Sequence, residues 1–152
     1  MALKGLTAGK LARAAVVNVE TLRYYERRGL IPEPPRKESG YRVYPETAVE
    51  RLRFIKGAQA LGFTLEEIRD LLDLRVDEHA HRADVRRRAQ EKVLFIERKI
   101  KALQAMHDAL NDLIEQCHGD GPIGDCPILE AMPHVSLGLH PEPERQHEEI
   151  SR

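Results

Sequence analysis

Apolar positions recur at helical spacing along most of the chain, and the runs are separated by capping residues, glycines and prolines. Thr7 precedes AGKLARAA and predicts a first helix. Asn18 caps a second, Val19 to Arg28, closed by Gly29. Only Val16 and Val17 lie between them, and two short helices joined this tightly predict a helix-turn-helix. IPEPPRKESGYRVY follows, and its three prolines exclude helix. Ser39-Gly40 reads as a turn, with alternating Tyr41-Arg42-Val43-Tyr44 leaving it as a strand, so that the segment forms a wing. Pro45-Glu46 opens a third helix with Val49, Leu52, Ile55 and Ala58 on one face, ended by Gly62. Thr64-Leu65-Glu66-Glu67 is a capping-box pattern for a fourth, through Leu74.

From about Ala80 to Cys117 the chain has no Gly and no Pro. That predicts one helix of roughly 35 residues, about 50 Å long at ~1.5 Å per residue. Val93, Ile96, Ile100, Leu103, His107, Leu110, Ile114 and Cys117 alternate steps of three and four, an a/d seam whose polar member is His107. Leu94, Met106 and Leu113 widen it. One helix cannot bury this face and the chain has no second of matching length, so the simplest partner is another copy. Packing of part of the stripe on the chain's own N-terminal domain is the alternative. PILEAM, after Cys126, predicts a short helix, and the polar, proline-bearing tail from Pro133 reads as disordered. The expected fold is mainly α: a winged helix-turn-helix over 1–75, a dimerisation helix over 80–117 forming an antiparallel coiled coil, a loop and short helix over 117–132, and a tail over 133–152.

Composition narrows the class. Of 152 residues, 32% are charged and 41% hydrophobic, which suits a helix-rich chain with a modest core. No apolar run approaches the ~20 residues of a membrane span, and the N-terminus lacks a secretory pattern. The expectation is a cytoplasmic protein with reduced thiols and no membrane partner. The net charge of −1 conceals an asymmetry: residues 1–56 carry twelve Lys/Arg against six Asp/Glu, and residues 57–152 twelve against nineteen. A basic front half suits phosphate contacts, although a solvated charged surface would look the same. There is no base–nucleophile constellation or phosphate loop, so an enzyme is not expected.

CHGDGPIGDC holds both cysteines, Cys117 and Cys126, around a loop loosened by Gly119, Gly121 and Gly124. Three readings apply: a disulfide, which a reducing compartment disfavours; two unrelated core thiols; or a soft-metal site. Two thiolates suit an ion that accepts two-coordinate geometry, such as Cu(I), Ag(I), Au(I) or Hg(II), whereas tetrahedral zinc wants four ligands. In an antiparallel pair centred near Ile100, Arg82 faces the partner's Cys117 and supplies no ligand, because a guanidinium only donates. His79, His81 and His118 lie nearby in sequence, where a surface role is the simpler reading.

The stretches NVETLRYYERRGLIPEP, SGYRVY and AVERLRFIKGAQALGFTLEEIRDLL resemble the MerR family of transcriptional regulators. HRADVRRRAQEKVLFIERKI, the long helix and CPILEAM resemble its metal-sensing branch, especially the copper, silver and gold sensors. The resemblance spans about residues 5 to 132. It implies a homodimer that binds promoter double-stranded DNA and, on binding metal, bends and untwists it for RNA polymerase, a form of indirect readout. Carried onto this chain, it implies DNA contacts from Thr21, Arg23 and Tyr25 on the recognition helix and from Arg36, Lys37, Tyr41 and Arg42 in the wing, with Tyr24 as a core aromatic. It also implies metal ligation by Cys117 and Cys126. Two features depart from the copper sensors. Arg82 stands where they have Ser and divalent-ion sensors have Cys, and eight residues separate the thiols, a spacing usual in mercury sensors. On balance the expected effector is Cu(I), Ag(I) or Au(I), with Hg(II) as the alternative. A thiol redox-responsive regulator and a dithiol metal-buffering protein are the rival functions.

Overall fold

The computed structural model describes residues 5–34 and 40–138. Its helices are α1 (Ala8–Ala15), α2 (Val19–Arg27), α3 (Thr47–Ala60), α4 (Leu65–Val76), α5 (Arg82–Gln116) and α6 (Pro127–Ala131), with 3-10 turns at Ile123–Asp125 and Met132–His134. The caps sit where the sequence places them. The Thr7 hydroxyl accepts from the Lys10 N–H at 3.3 Å and Asn18 Oδ1 from the Thr21 N–H at 2.6 Å. Thr64 and Glu67 form a reciprocal capping box. α2 ends through Gly29, whose φ of +74° is a left-handed conformation that glycine adopts without a Cβ clash.

The turn between α1 and α2 is made differently. Val16 closes α1 at φ +57°, the one positive-φ non-glycine among the described residues. A β-branched residue there is strained by about 1–2 kcal/mol. The neighbouring backbone is held by the Val17 N–H on the Ala12 carbonyl at 2.9 Å and by Lys56 Nζ on the Val16 carbonyl at 2.8 Å. Basic side chains of α3 and α4 hold other carbonyls at helix ends in the same way. Arg53 Nη2 donates to Ala14 O at 3.2 Å, Arg51 Nε to Leu30 O at 2.6 Å, and Arg69 Nη2 to Arg28 O. Three cations of the basic front half, and Arg69 beyond it, therefore serve the fold.

The chain divides into two compact units after Arg88, inside α5, so the first turns of the long helix belong to the N-terminal unit. There Arg88 Nη1 lies 3.3 Å from Asp70 Oδ2 of α4. The core of this unit joins Leu11, Ala15, Leu22, Tyr25, Leu30, Ile31, Tyr44, Ala48, Leu52, Ile55, Ile68 and Leu72, with one helical face contributed by each of α1 to α4.

The expected wing strand is reduced, among the described residues, to bridge positions at Arg42 and Tyr44. Tyr44 pairs antiparallel with Leu6, with both backbone hydrogen bonds at 2.8 Å. Side chains add to the hold on this segment: Arg42 and Tyr44 both turn onto Glu26. Of the tail expected from Pro133, residues 139–152 lie outside the described residues.

In the second unit α5 runs to Gln116 as one uninterrupted helix, 35 residues in all. Its seam is exposed in the single chain: Val93 at 53%, Ile100 at 59%, Leu103 at 62% and Ile114 at 58%. No helix is long and apolar enough to cross a membrane among the described residues.

Candidate DNA interface and thiol loop

α2 presents Arg23 and Arg27 to solvent, four residues apart and hence on one face, with Thr21 half-buried near its start. Burial of the two aromatic neighbours departs from the expectation at Tyr25. Tyr25 is the core residue, 4% exposed, and its hydroxyl donates to Gln59 Oε1, whereas Tyr24 is only partly buried against the same core. Tyr25 follows Leu22 by three residues and so shares its inward face. Burial first, then the neighbouring Tyr24, pushes the Tyr25 phenol above its ordinary pKa. A phosphate contact from Tyr25 would have to come from a hydroxyl already committed to Gln59.

In the wing, Gly40 turns at φ +81° and Tyr41 stands 71% exposed. Arg36 and Lys37 lie outside the described residues. Arg42 is not the free cation expected. Its Nη1 is 2.9 Å from Glu26 Oε2 and its Nη2 3.1 Å from Glu33 Oε1. Glu26 also accepts the Tyr44 hydroxyl on its other oxygen. The Tyr44 phenol is pushed up to about 12, by burial first and then by Glu26. Glu26 and Tyr44, absent from the sequence-based site, thus join the recognition helix to the wing. Their signal in the sequence is slight, since Glu26 is one of two acids on a helix that also carries two arginines.

The thiol loop begins where α5 ends. The Cys117 N–H donates to Ile114 O at 3.1 Å, and Gly119 and Gly121 turn the chain at φ +76° and +105°. The 3-10 turn Ile123–Asp125 then delivers Cys126, whose N–H donates to Ile123 O at 3.3 Å and whose carbonyl accepts from the Glu130 N–H at 3.1 Å in α6. Both thiols are free and half-buried. Among the described residues no group of three or more His, Cys, Asp or Glu side chains is placed to hold a metal. One chain therefore offers two sulfurs and no further cluster. That donor set fits a thiophilic ion content with two ligands and leaves a tetrahedral zinc site half-filled. Cys117 and Cys126 would hold such an ion, which would supply a cross-link from the end of α5 to the start of α6.

A four-helix unit with a wing, a recognition helix bearing exposed arginines, and a long apolar-striped helix beyond it define a DNA-binding transcriptional regulator of the helix-turn-helix class. The chain belongs to the MerR family of these regulators. The family model described as MerR HTH family regulatory protein matches residues 6–75, and that described as MerR, DNA binding matches residues 49–113. The chain is similar to the mercuric resistance operon regulatory protein of Bacillus cereus, 47% identical over 124 residues that cover 82% of this chain and 94% of the relative. It is also similar to the HTH-type transcriptional regulator CueR of Salmonella typhimurium, 41% identical over 122 residues, 80% of this chain and 88% of the relative. Among solved structures it resembles the transcription regulator PbrR691 from Ralstonia metallidurans in complex with lead(II). The TM-score is 0.76 and the identity 35%, over 84% of this chain and 98% of that one. The family consists of DNA-binding regulators rather than enzymes.

Proposed function

We propose that this protein is a homodimeric, metal-responsive regulator that activates a metal-resistance or efflux promoter when a soft monovalent ion, Cu(I), Ag(I) or Au(I), binds Cys117 and Cys126. The observation that carries the reading is the pair of free thiols bracketing one loop at the end of α5, with no third ligand grouped beside them among the described residues. A bis-thiolate holding a monovalent ion keeps one negative charge. In an antiparallel dimer Arg82 of each chain comes opposite the partner's Cys117, and its positive charge offsets that excess.

Dimerisation follows from the exposed a/d seam of α5, a face that a second copy covers. On DNA, Arg23 and Thr21 of α2 face the major groove, and Tyr41 with Arg36 and Lys37 contacts phosphates from the wing. Arg42 and Tyr25 support that surface from within the fold. Phosphate contacts fix the register of the dimer on the duplex, and deformation of the promoter is the output presented to RNA polymerase.

The second reading, Hg(II), is favoured by the similarity to mercuric resistance regulators, including the 47% identity to that of Bacillus cereus, and by the eight residues between the thiols. Arg82 weighs against it, since a third thiolate from the partner is missing. Anaerobic run-off transcription from the DNA upstream of this protein's own gene, titrated separately with Cu(I), Ag(I), Hg(II) and Zn(II), tests the assignment. Activation at the lowest free concentrations of Cu(I) or Ag(I) is expected. Activation by Hg(II) alone transfers the assignment to mercury, and activation by diamide without metal transfers it to thiol oxidation. Metal binding with no effect on transcription leaves the buffering function.

A further inference from the structure

Glu26 is the most enclosed acid whose contacts the family reading leaves unexplained. It lies on α2, within one turn of Arg23 and Arg27, and its side chain is 8% exposed. An anion near the C-terminal end of a DNA-facing helix repels phosphate, so its presence there calls for a compensating role. Its two oxygens are used separately. Oε2 takes Arg42 Nη1 at 2.9 Å and Oε1 takes the Tyr44 hydroxyl. Both partners come from the segment that follows Gly40, across the chain from α2. Among the described residues that segment is no continuous strand: its bridge positions are Arg42 and Tyr44, and Tyr44 pairs with Leu6. The outer contact of Arg42, to Glu33, is different in kind: Glu33 is 62% exposed and its pair with Arg42 contributes little.

We propose that Glu26 is a positioning residue for DNA recognition, locking the wing segment to the recognition helix through Arg42 and Tyr44 so that Tyr41 and Arg23 are presented to one duplex together. The inference rests on the DNA-binding reading above. Glu26 touches no nucleic acid itself; it acts by joining the two elements through its two side-chain contacts. Charge-assisted bonds to a nearly buried carboxylate are the stronger class of hydrogen bond, and loss of the carboxylate strands both donors.

The test exploits a sign. Glu26→Gln removes a negative charge from a DNA-facing helix and frees Arg42, so simple electrostatics predicts tighter binding with a steeper salt dependence. The positioning role predicts the opposite, a loss of about tenfold or more in affinity for the upstream promoter duplex at fixed salt. Tyr44→Phe keeps the ring in the core and removes one of the two bonds, and should lose about threefold. The double variant should lose less than the product of the singles, because both act through one clamp. Unchanged or tighter binding by a folded Glu26→Gln overturns the inference.

A second readout needs no DNA. The absorbance of ionised tyrosine, taken as the difference from Tyr44→Phe, should place Tyr44 near 12 in the parent and closer to an ordinary phenol in Glu26→Ala. An unaltered titration in Glu26→Ala also overturns the clamp. If the parent itself fails to bind its upstream duplex, the proposed function falls, and the phenol titration judges the clamp separately.

Discussion

The two units of this chain solve the problem of apolar surface in opposite ways. In the N-terminal unit each of four short helices hides one face, so that Leu11, Leu22, Leu52, Ile55 and Ile68 are fully enclosed. In α5 beyond Arg88 no apolar side chain is buried among the described residues, although Val93, Ile96, Ile100, Leu103, Leu110 and Ile114 follow each other along the helix. Burying each is worth roughly 1.5–3 kcal/mol. Short helices that fold back on one another can complete a core within one chain. A single helix of 35 residues cannot, and its apolar stripe is a demand for a second surface. Under the proposed function the units take different jobs: the first is the DNA-reading head, and the second the assembly and sensing element whose apolar stripe a second copy would complete.

The sharpest way to break the contrast is at the seam. Ile100→Lys should turn the dimer into a monomer by analytical ultracentrifugation and weaken promoter binding by about a hundredfold, since two heads no longer share one avidity. The head should keep its own melting transition. A dimer that survives this change would show that the stripe is covered by something other than a second copy. Next in size, Cys117→Ser and Cys126→Ser should each abolish metal-dependent transcription in the run-off assay while promoter affinity stays within about twofold. Loss of DNA binding in either variant would mean that the thiols serve the fold rather than the response.

Within the head the effects are smaller. Arg23→Ala should weaken promoter binding by about tenfold and reduce the salt slope by about one, measured by fluorescence anisotropy across a salt series. An unchanged slope would remove Arg23 from the phosphate-contact set. Smallest, Val16→Gly relieves the left-handed strain at φ +57° but adds backbone entropy to the unfolded chain. A net gain of about 0.5–1 kcal/mol in chemical denaturation is expected, and destabilisation would show that the Val16 side chain contributes packing that outweighs the strain. Alkaline stability follows from Tyr44. Its pKa in the fold, about 12, lies above that of a free phenol, so its contribution is fully present below about pH 10 and is lost as the pH rises through 12.

Much of the head was legible in the sequence because its signals are local. Thr7, Asn18 and Thr64 announce helix starts by bonds that span three residues, and the a/d steps of α5 need no knowledge of the rest of the fold. The burial of Tyr25 was legible in principle. Leu22 and Tyr25 share a helical face three residues apart, a periodicity that outranks any analogy for choosing between Tyr24 and Tyr25. The wing was not legible in the same sense. Alternation in Tyr41-Arg42-Val43-Tyr44 suggests a strand, but what fixes the segment is Glu26, many residues earlier, and a long-range ion pair leaves no local trace. The four cations that hold helix-end carbonyls are likewise invisible to charge counting. Arg51, Arg53, Lys56 and Arg69 look like DNA-binding charge until the fold shows each donating to a backbone carbonyl. The thiols were legible as a pair, and the fold adds the turns that frame them.

The most direct measurement is the sulfur count around the bound effector. X-ray absorption spectroscopy on protein loaded anaerobically with one equivalent of Cu(I) per chain should give two sulfur neighbours and no nitrogen or oxygen in the first shell. The Cys126→Ser variant should lose that signature. A shell of three or four ligands, or a two-sulfur spectrum that persists without Cys126, would contradict a sensor built on this one pair of thiols.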